Sequence, residues 1–179
     1  MNFAVFIIYV GAELVLIALL LLVAYFSLNG IFTVPWVRTK KNVTQAMFEL
    51  AQVKEGETVV DYGSGDGSVV LDAAEKGAHG IGIERLRLLV WFSKLRAKNR
   101  NTSGTVRFIQ GNMFDLEPPH ADVVFLYLFP EFNKRLEPIF LKHYPSGTRI
   151  VTRDFLFPNL PLIATKNIED TKLNFYKIP

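Results

Sequence analysis

Residues 59–70 read VVDYGSGDGSVV. Gly63, Gly65 and Gly67 follow a short apolar run, 58–62 (TVVDY), and precede a helical one, 68–76 (SVVLDAAEK), closed by Gly77. Glycine lets a backbone turn sharply and approach a ligand that a Cβ would hold off. A dinucleotide fold spaces its glycines G-x-G-x-x-G and lays a pyrophosphate on the helix N-terminus. Here the third position of that pattern is Ser68, and an acid, Asp61, stands two residues before the first glycine. An acid there repels a pyrophosphate. It suits a ligand that carries an ammonium and a sulfonium, as S-adenosylmethionine does.

Outward from this turn, strands and helices alternate. A helix over 42–54 ends at Glu55-Gly56, with Val43, Met47, Leu50 and Ala51 on one face. Strands are expected at 79–84, 105–110, 121–129 and 148–153. Helices are expected at 86–100 and 131–142, with Pro138 bending or starting the second. Residues 161–168 and 172–178 read as a closing hairpin. Such alternation implies an α/β fold, a Rossmann-like parallel sheet with helices on both faces. Ligands in these sheets bind at the carboxyl ends of the strands, beside the switch in strand order. Glu84 ends the second strand roughly 20 residues after Asp61, the spacing of a ribose-binding acid. Its two oxygens can accept from both ribose hydroxyls. After the third strand comes Gly111-Asn112-Met113-Phe114-Asp115. Asn112 and Met113 are the candidates there for meeting and packing on an adenine.

The rest of the composition narrows the classes. With half its residues apolar, the chain of 179 is no disordered segment. There is no cysteine, so there is no disulfide, thiolate or Cys-bound zinc. His79, His120 and His143 lack metal-ligand spacing, and no metal is expected. Glu13 is the one charged side chain before Arg38, and residues 3–26 are long enough to cross a bilayer. The run is too long for a signal peptide, and no basic residue precedes it. Residues 1–30 are therefore read as a transmembrane helix, 31–42 as a linker and 43–179 as the catalytic domain. Arg38, Lys40 and Lys41 follow the helix at once, which places the domain on the cytoplasmic side of a single-pass protein. Lys and Arg number 20 against 17 Asp and Glu. That surplus fits an anionic membrane surface and is too small to argue for nucleic acid. Arg87, Lys94 and Lys98 share one side of the helix over 86–100, a solvated face or a contact for anionic lipid or a partner.

The runs VPWVRT (34–39), VVDYGSGDG (59–67), GIE (82–84), LLVWFSKLRAK (88–98), GNMFDL (111–116), ADVVFLYLFPE (121–131) and RIVTRDFLFP (149–158) together resemble a known family. It is that of small, often membrane-anchored, seven-strand methyltransferases. Its prokaryotic members are similar to lysine methyltransferases, and its mitochondrial members methylate lysines of the ATP synthase c-subunit and the adenine nucleotide translocase. The resemblance implies a seven-strand sheet and S-adenosylmethionine as cofactor. It implies that Pro35 to Thr39 fold over that cofactor, beside Asp61, Gly63, Ser64, Gly65, Gly67, Glu84, Asn112 and Met113. It implies that Tyr127 lines the transfer site. Tyr127 could orient an acceptor amine, and Asp154, after the fifth strand, could steer a cationic side chain. The implied partners are the bilayer and a protein substrate with an accessible lysine, membrane proteins included. The chain departs from many relatives at Ser68, where they have Arg, and at Arg85-Leu86-Arg87, where Asn or Asp follows the ribose acid. Leu128-Phe129-Pro130 lacks the Asn or Asp and the second proline of nucleic-acid amino methyltransferases, so no nucleic-acid partner is expected. A small-molecule or lipid methyltransferase, and a cofactor-binding scaffold without catalysis, stay open.

Overall fold

The computed structural model describes residues 2–30 and 37–179. Pro35 and Trp36, part of the expected covering segment, lie outside the described residues. The chain divides into two units, 1–35 and 36–179. The first holds helix α1, Phe3–Gly30. Within it Val5–Tyr25 has mean hydropathy 2.8, and none of the span is buried. Length and apolarity meet the requirement for crossing a membrane.

The second unit is a seven-strand sheet. Its elements are α2 (Lys41–Ala51), β1 (Thr58–Tyr62), α3 (Ser68–Glu75), β2 (His79–Glu84), α4 (Arg87–Lys98) and β3 (Val106–Gln110). They continue with β4 (Val123–Leu126), α5 (Pro130–His143), β5 (Arg149–Arg153), β6 (Ala164–Ile168) and β7 (Thr171–Lys177). The strand order is β3-β2-β1-β4-β5-β7-β6. The first five strands run parallel. The closing hairpin is antiparallel, with β7 inserted beside β5 and β6 at the edge. The order turns back between β1 and β4, so the ligand-binding crevice of such a sheet opens there.

Alternation along the strands sorts the core. Val59, Val123, Phe125, Val151, Leu173 and Phe175 point to one face and bury the apolar stripe of α2, Val43, Met47 and Phe48. Val70 and Leu71 of α3 meet Val90 of α4 and Phe108 of β3. Phe108 pairs with Gly82, and Gly82 with Asp61, so this is the same face. On the opposite face Tyr62 packs its ring 5.0 Å from Phe140 of α5.

Several boundaries differ from the sequence expectation. α2 ends at Ala51, before Glu55-Gly56, because Gln52 turns left-handed (φ 52°). The N–H of Val53 then reaches back to the Phe48 carbonyl, and Val53 packs on the core, as in a Schellman-type stop. β4 covers 123–126 rather than 121–129. Its neighbour β1 ends at Tyr62 opposite Leu126. Gly63 and Ser64 turn away to donate to the Ile83 carbonyl, leaving Tyr127 no strand to pair with there. Pro138 does not start α5, which begins at Pro130 and runs through it. Pro130 occupies the first helical turn, where a missing N–H costs nothing. Pro138 and Lys134, whose carbonyl the proline leaves free, are both exposed. Finally, α4 is not apolar on one side and basic on the other. It buries Leu89, Val90 and Ser93, and leaves Leu88, Trp91, Phe92 and Leu95 exposed.

Candidate cofactor site

The glycine turn leaves β1 with three left-handed residues, Gly63 (φ 81°), Gly65 (φ 52°) and Gly67 (φ 73°). Two of them also need the missing side chain. A Cβ on Gly67 would stand 2.6 Å from Phe108 Cζ, and one on Gly63 3.1 Å from Leu128 Cδ2 and 3.9 Å from Met113 Cε. Leu128 and Met113 thus wall the space above Gly63. The turn is pinned from the next strand. Glu84 accepts from the Gly65 N–H with Oε2 (3.0 Å) and from the Leu86 N–H with Oε1 (2.8 Å). Ser93 of α4 donates to the Gly65 carbonyl at 3.0 Å.

Asp61 and Glu84 are both buried. Burial, then the charges of Glu84 and Asp66, push the Asp61 carboxyl up to about 7. A group so placed is short of positive charge. Ser64 Oγ, beside Gly82, is buried and has no hydrogen-bond partner among the described residues. Glu84 has used one lone pair on each oxygen, and each oxygen has a second. The residues therefore fit a ligand that brings a cation to Asp61 and hydroxyls to Glu84, as S-adenosylmethionine would. Met113 is on hand to pack beside it. Asn112 is partly engaged: its Nδ2 donates to Asp115 (2.8 Å), and its Oδ1 accepts from the Phe114 N–H at 3.4 Å.

A network that the motifs did not reveal ties the turn to α4 and to Arg38. Asp66 is buried, and Arg96 of α4 donates to its carboxylate and, at 2.7 Å, to its carbonyl. Ser68 donates to Asp66 Oδ1 at 2.6 Å and accepts from Arg96 at 3.1 Å. Arg38, from the expected covering segment, donates to Ser68 Oγ at 3.3 Å. Arg38, Thr39, Lys40 and Lys41 line a cleft of about 440 Å³ with Ser68, Asp72, Arg96 and Arg100. Thr39 therefore lies beside the exit of the glycine turn. Helical spacing could have set Arg96 apart, because it falls between the buried and exposed sides of α4.

The two candidates for the transfer site lie at the ends of β4 and β5. Tyr127 is half-buried, with the Arg153 guanidinium 4.1 Å from its ring centroid and Phe155 stacked at 6.4 Å. Asp154 is left-handed (φ 61°), and its Oδ1 accepts from the Lys172 N–H at 2.9 Å. Its other oxygen is 3.5 Å from Arg153 Nε. This carboxylate thus ties the end of β5 to the start of β7 as well as facing a cation. Among the described residues no three His, Asp or Glu side chains gather as a metal would require.

Comparison with known proteins adds a lineage to this geometry. Residues 61–164 match the family model of the ANTKMT methyltransferase domain. The chain is 29% identical over 145 residues to a protein-lysine N-methyltransferase of Saccharolobus islandicus, covering 79% of this chain and 89% of that protein. It is 26% identical over 125 residues to the human lysine N-methyltransferase of the ATP synthase c-subunit, 70% of this chain but only 53% of that enzyme. A solved structure described as an RNA methyltransferase of Salinibacter ruber, in complex with S-adenosyl-L-homocysteine, superposes with TM-score 0.76 at 37% identity. It covers 80% of this chain and 94% of that one.

Proposed function

Since the chain belongs to the family of the ANTKMT methyltransferase domain, we propose that it methylates a lysine side chain of a protein. It is an S-adenosylmethionine-dependent methyltransferase with a Rossmann-like seven-strand fold. The observation that carries the lysine acceptor is the likeness to the archaeal protein-lysine methyltransferase along nearly all of that protein. In this reading Asp61 pairs with the cofactor's ammonium, and Glu84 accepts from its ribose hydroxyls. Gly63, Ser64, Gly65 and Gly67 let the backbone close on it. Thr39 lies in the cover, and Asn112 and Met113 flank the adenine.

The bound cofactor supplies a methyl group on a sulfonium, already activated for in-line displacement. The protein then has to hold the nucleophile about 3 Å away and in line, which supplies most of the rate by orientation. A lysine starts with a pKa of about 10.4 and has to shed a proton to water first. The aromatic surface of Tyr127 and Phe155 removes solvent, and the Arg153 cation beside it disfavours a second positive charge. Both push the acceptor towards the neutral amine. The Tyr127 hydroxyl orients that amine, and Asp154 steers the incoming cationic side chain.

We also propose that α1 spans a bilayer once and that the catalytic unit stands on the cytoplasmic side. The support is the exposed apolar stretch Val5–Tyr25 followed by Arg38, Lys40 and Lys41. Extraction tests this part. The full chain should need detergent, and release by high salt alone would contradict the span.

The Salinibacter structure's description favours RNA as a second acceptor class. Leu128-Phe129-Pro130 argues against it, because it lacks the Asn or Asp and the paired prolines of nucleic-acid amino methyltransferases. One experiment separates the readings. The full chain in membranes is incubated with methyl-labelled S-adenosylmethionine, and protein, lipid and RNA are resolved. Label in protein that maps to lysine is expected. Label confined to lipid or RNA would overturn the lysine reading, and the absence of transfer to any fraction would leave a scaffold.

A further inference from the structure

We propose that the outer face of α4 docks on an anionic bilayer, seated at the depth of the lipid headgroups. Leu88 lies three and four residues before Trp91 and Phe92, and Leu95 four and three residues after them, so the four form one stripe along the helix. Their exposures are 41%, 61%, 41% and 43%. The stripe lies nearly opposite Leu89, Val90 and Ser93, which α4 buries against the unit. An amphipathic helix of a globular domain needs only the buried stripe. This one carries a second.

Charge decides what covers it. Arg87, Lys94 and Lys98 are exposed and run along one margin of the stripe. Arg96 stands on the other margin, turned inwards to Asp66. α4 contains no acidic residue. Apolar and aromatic side chains flanked by Lys and Arg are the composition of helices that lie in the interfacial plane. Trp91 and Phe92 supply the ring surface that favours headgroup depth. Pairing with a second copy through this face would bring two sets of Arg87, Lys94 and Lys98 together. An anionic lipid surface has the opposite charge. The proposal draws on the reading of α1 as a bilayer anchor only for proximity, because a tethered domain meets the surface at high effective concentration.

The absence of cysteine makes the test clean, since one introduced thiol is the one labelled site. The full chain is reconstituted in nanodiscs containing phosphatidylserine, with a nitroxide on Leu95→Cys. A second sample carries it on Lys134→Cys, exposed on α5, and a third on Leu20→Cys in α1. Collisions with oxygen report lipid, and collisions with a water-soluble nickel chelate report solvent. At position 95 the oxygen-to-nickel ratio should stand several-fold above that at 134. It should fall towards the value at 134 in discs of phosphatidylcholine alone, and on adding Lys94→Glu and Lys98→Glu. Brominated lipids should quench wild-type tryptophan emission more than that of Trp91→Tyr, a readout that needs no label. A water-like ratio at position 95 would overturn the proposal, and so would shielding from both oxygen and nickel, which marks a protein partner. Position 20 reports the α1 anchor separately, so failure of the anchor and failure of the docking face give different patterns.

Discussion

Asp61 sits buried among further acids, Glu84 and Asp66, and its carboxyl is held near 7. An unfolded aspartate releases its proton near 3.8, so between about 4 and 7 the unfolded chain binds fewer protons than the folded one. The group therefore costs stability progressively as pH rises through that window, and the cost is complete above about 7. Asp61→Asn should be more stable than the wild type at pH 8, by an amount on the order of a few kcal/mol. The gap should close towards pH 4, as thermal unfolding across pH would show. A constant gap would contradict the assignment. The cofactor reverses the sense: a cation at Asp61 favours the carboxylate. Cofactor affinity in the wild type should thus weaken as pH falls from 7 to 5, and Asp61→Asn should lose both the affinity and this slope. The acid's identity and position were legible in the sequence from its place before the glycines. Its raised proton affinity was not, because it depends first on burial, and then on the charges of Glu84 and Asp66, which only the folded chain brings beside it.

At the scale of elements, β1 and β2 match their sequence expectation in full, since each is a short apolar run closed by the residues that build the site. β4 did not, because its length is set by where β1 stops rather than by its own apolarity. The two apolar stripes of α4 were equally hidden. Periodicity counts apolar residues on a helix, and it does not say which of them the sheet covers. The turn and α4 act as one device, and two substitutions probe it. Gly67→Ala has to accommodate a left-handed backbone and a contact at 2.6 Å with Phe108, and should lower stability by roughly 1–3 kcal/mol. Arg96→Ala leaves the buried Asp66 carboxylate only Ser68 and the exposed Arg38 as partners and should cost roughly 1–3 kcal/mol. The exposed pair Lys166–Glu49 offers the contrast. Denaturant unfolding of Lys166→Ala should leave the midpoint where it is. Equal losses at Arg96 and Lys166 would refute the view that the Asp66 network locks the turn.

For the whole molecule, the arrangement is a sheet with its glycine turn at the point where the strand order reverses, and an apolar helix ahead of it. That the first five strands run parallel followed from alternation, while their order came only with the structure. The placement of β7 between β5 and β6 did not follow either, because a hairpin in sequence does not reveal which of its strands the sheet takes first. Asp61, Gly63, Glu84 and Met113 were proposed from local motifs, and the fold gathers them around the glycine turn. Arg38, Ser68, Asp66 and Arg96 are scattered along the chain, and their network exists only once α4 has packed against α3. The proposed chemistry depends on Asp61 and Glu84 holding the cofactor. Calorimetric titration of S-adenosylhomocysteine into the full-length protein at pH 7.5 tests it most directly, with Glu84→Gln beside the wild type. Hydrogen bonds to a charged group contribute about 1.5–3 kcal/mol each, so losing the carboxylate should weaken binding by roughly ten- to a hundredfold or more. Binding by Glu84→Gln as tight as by the wild type would contradict the account.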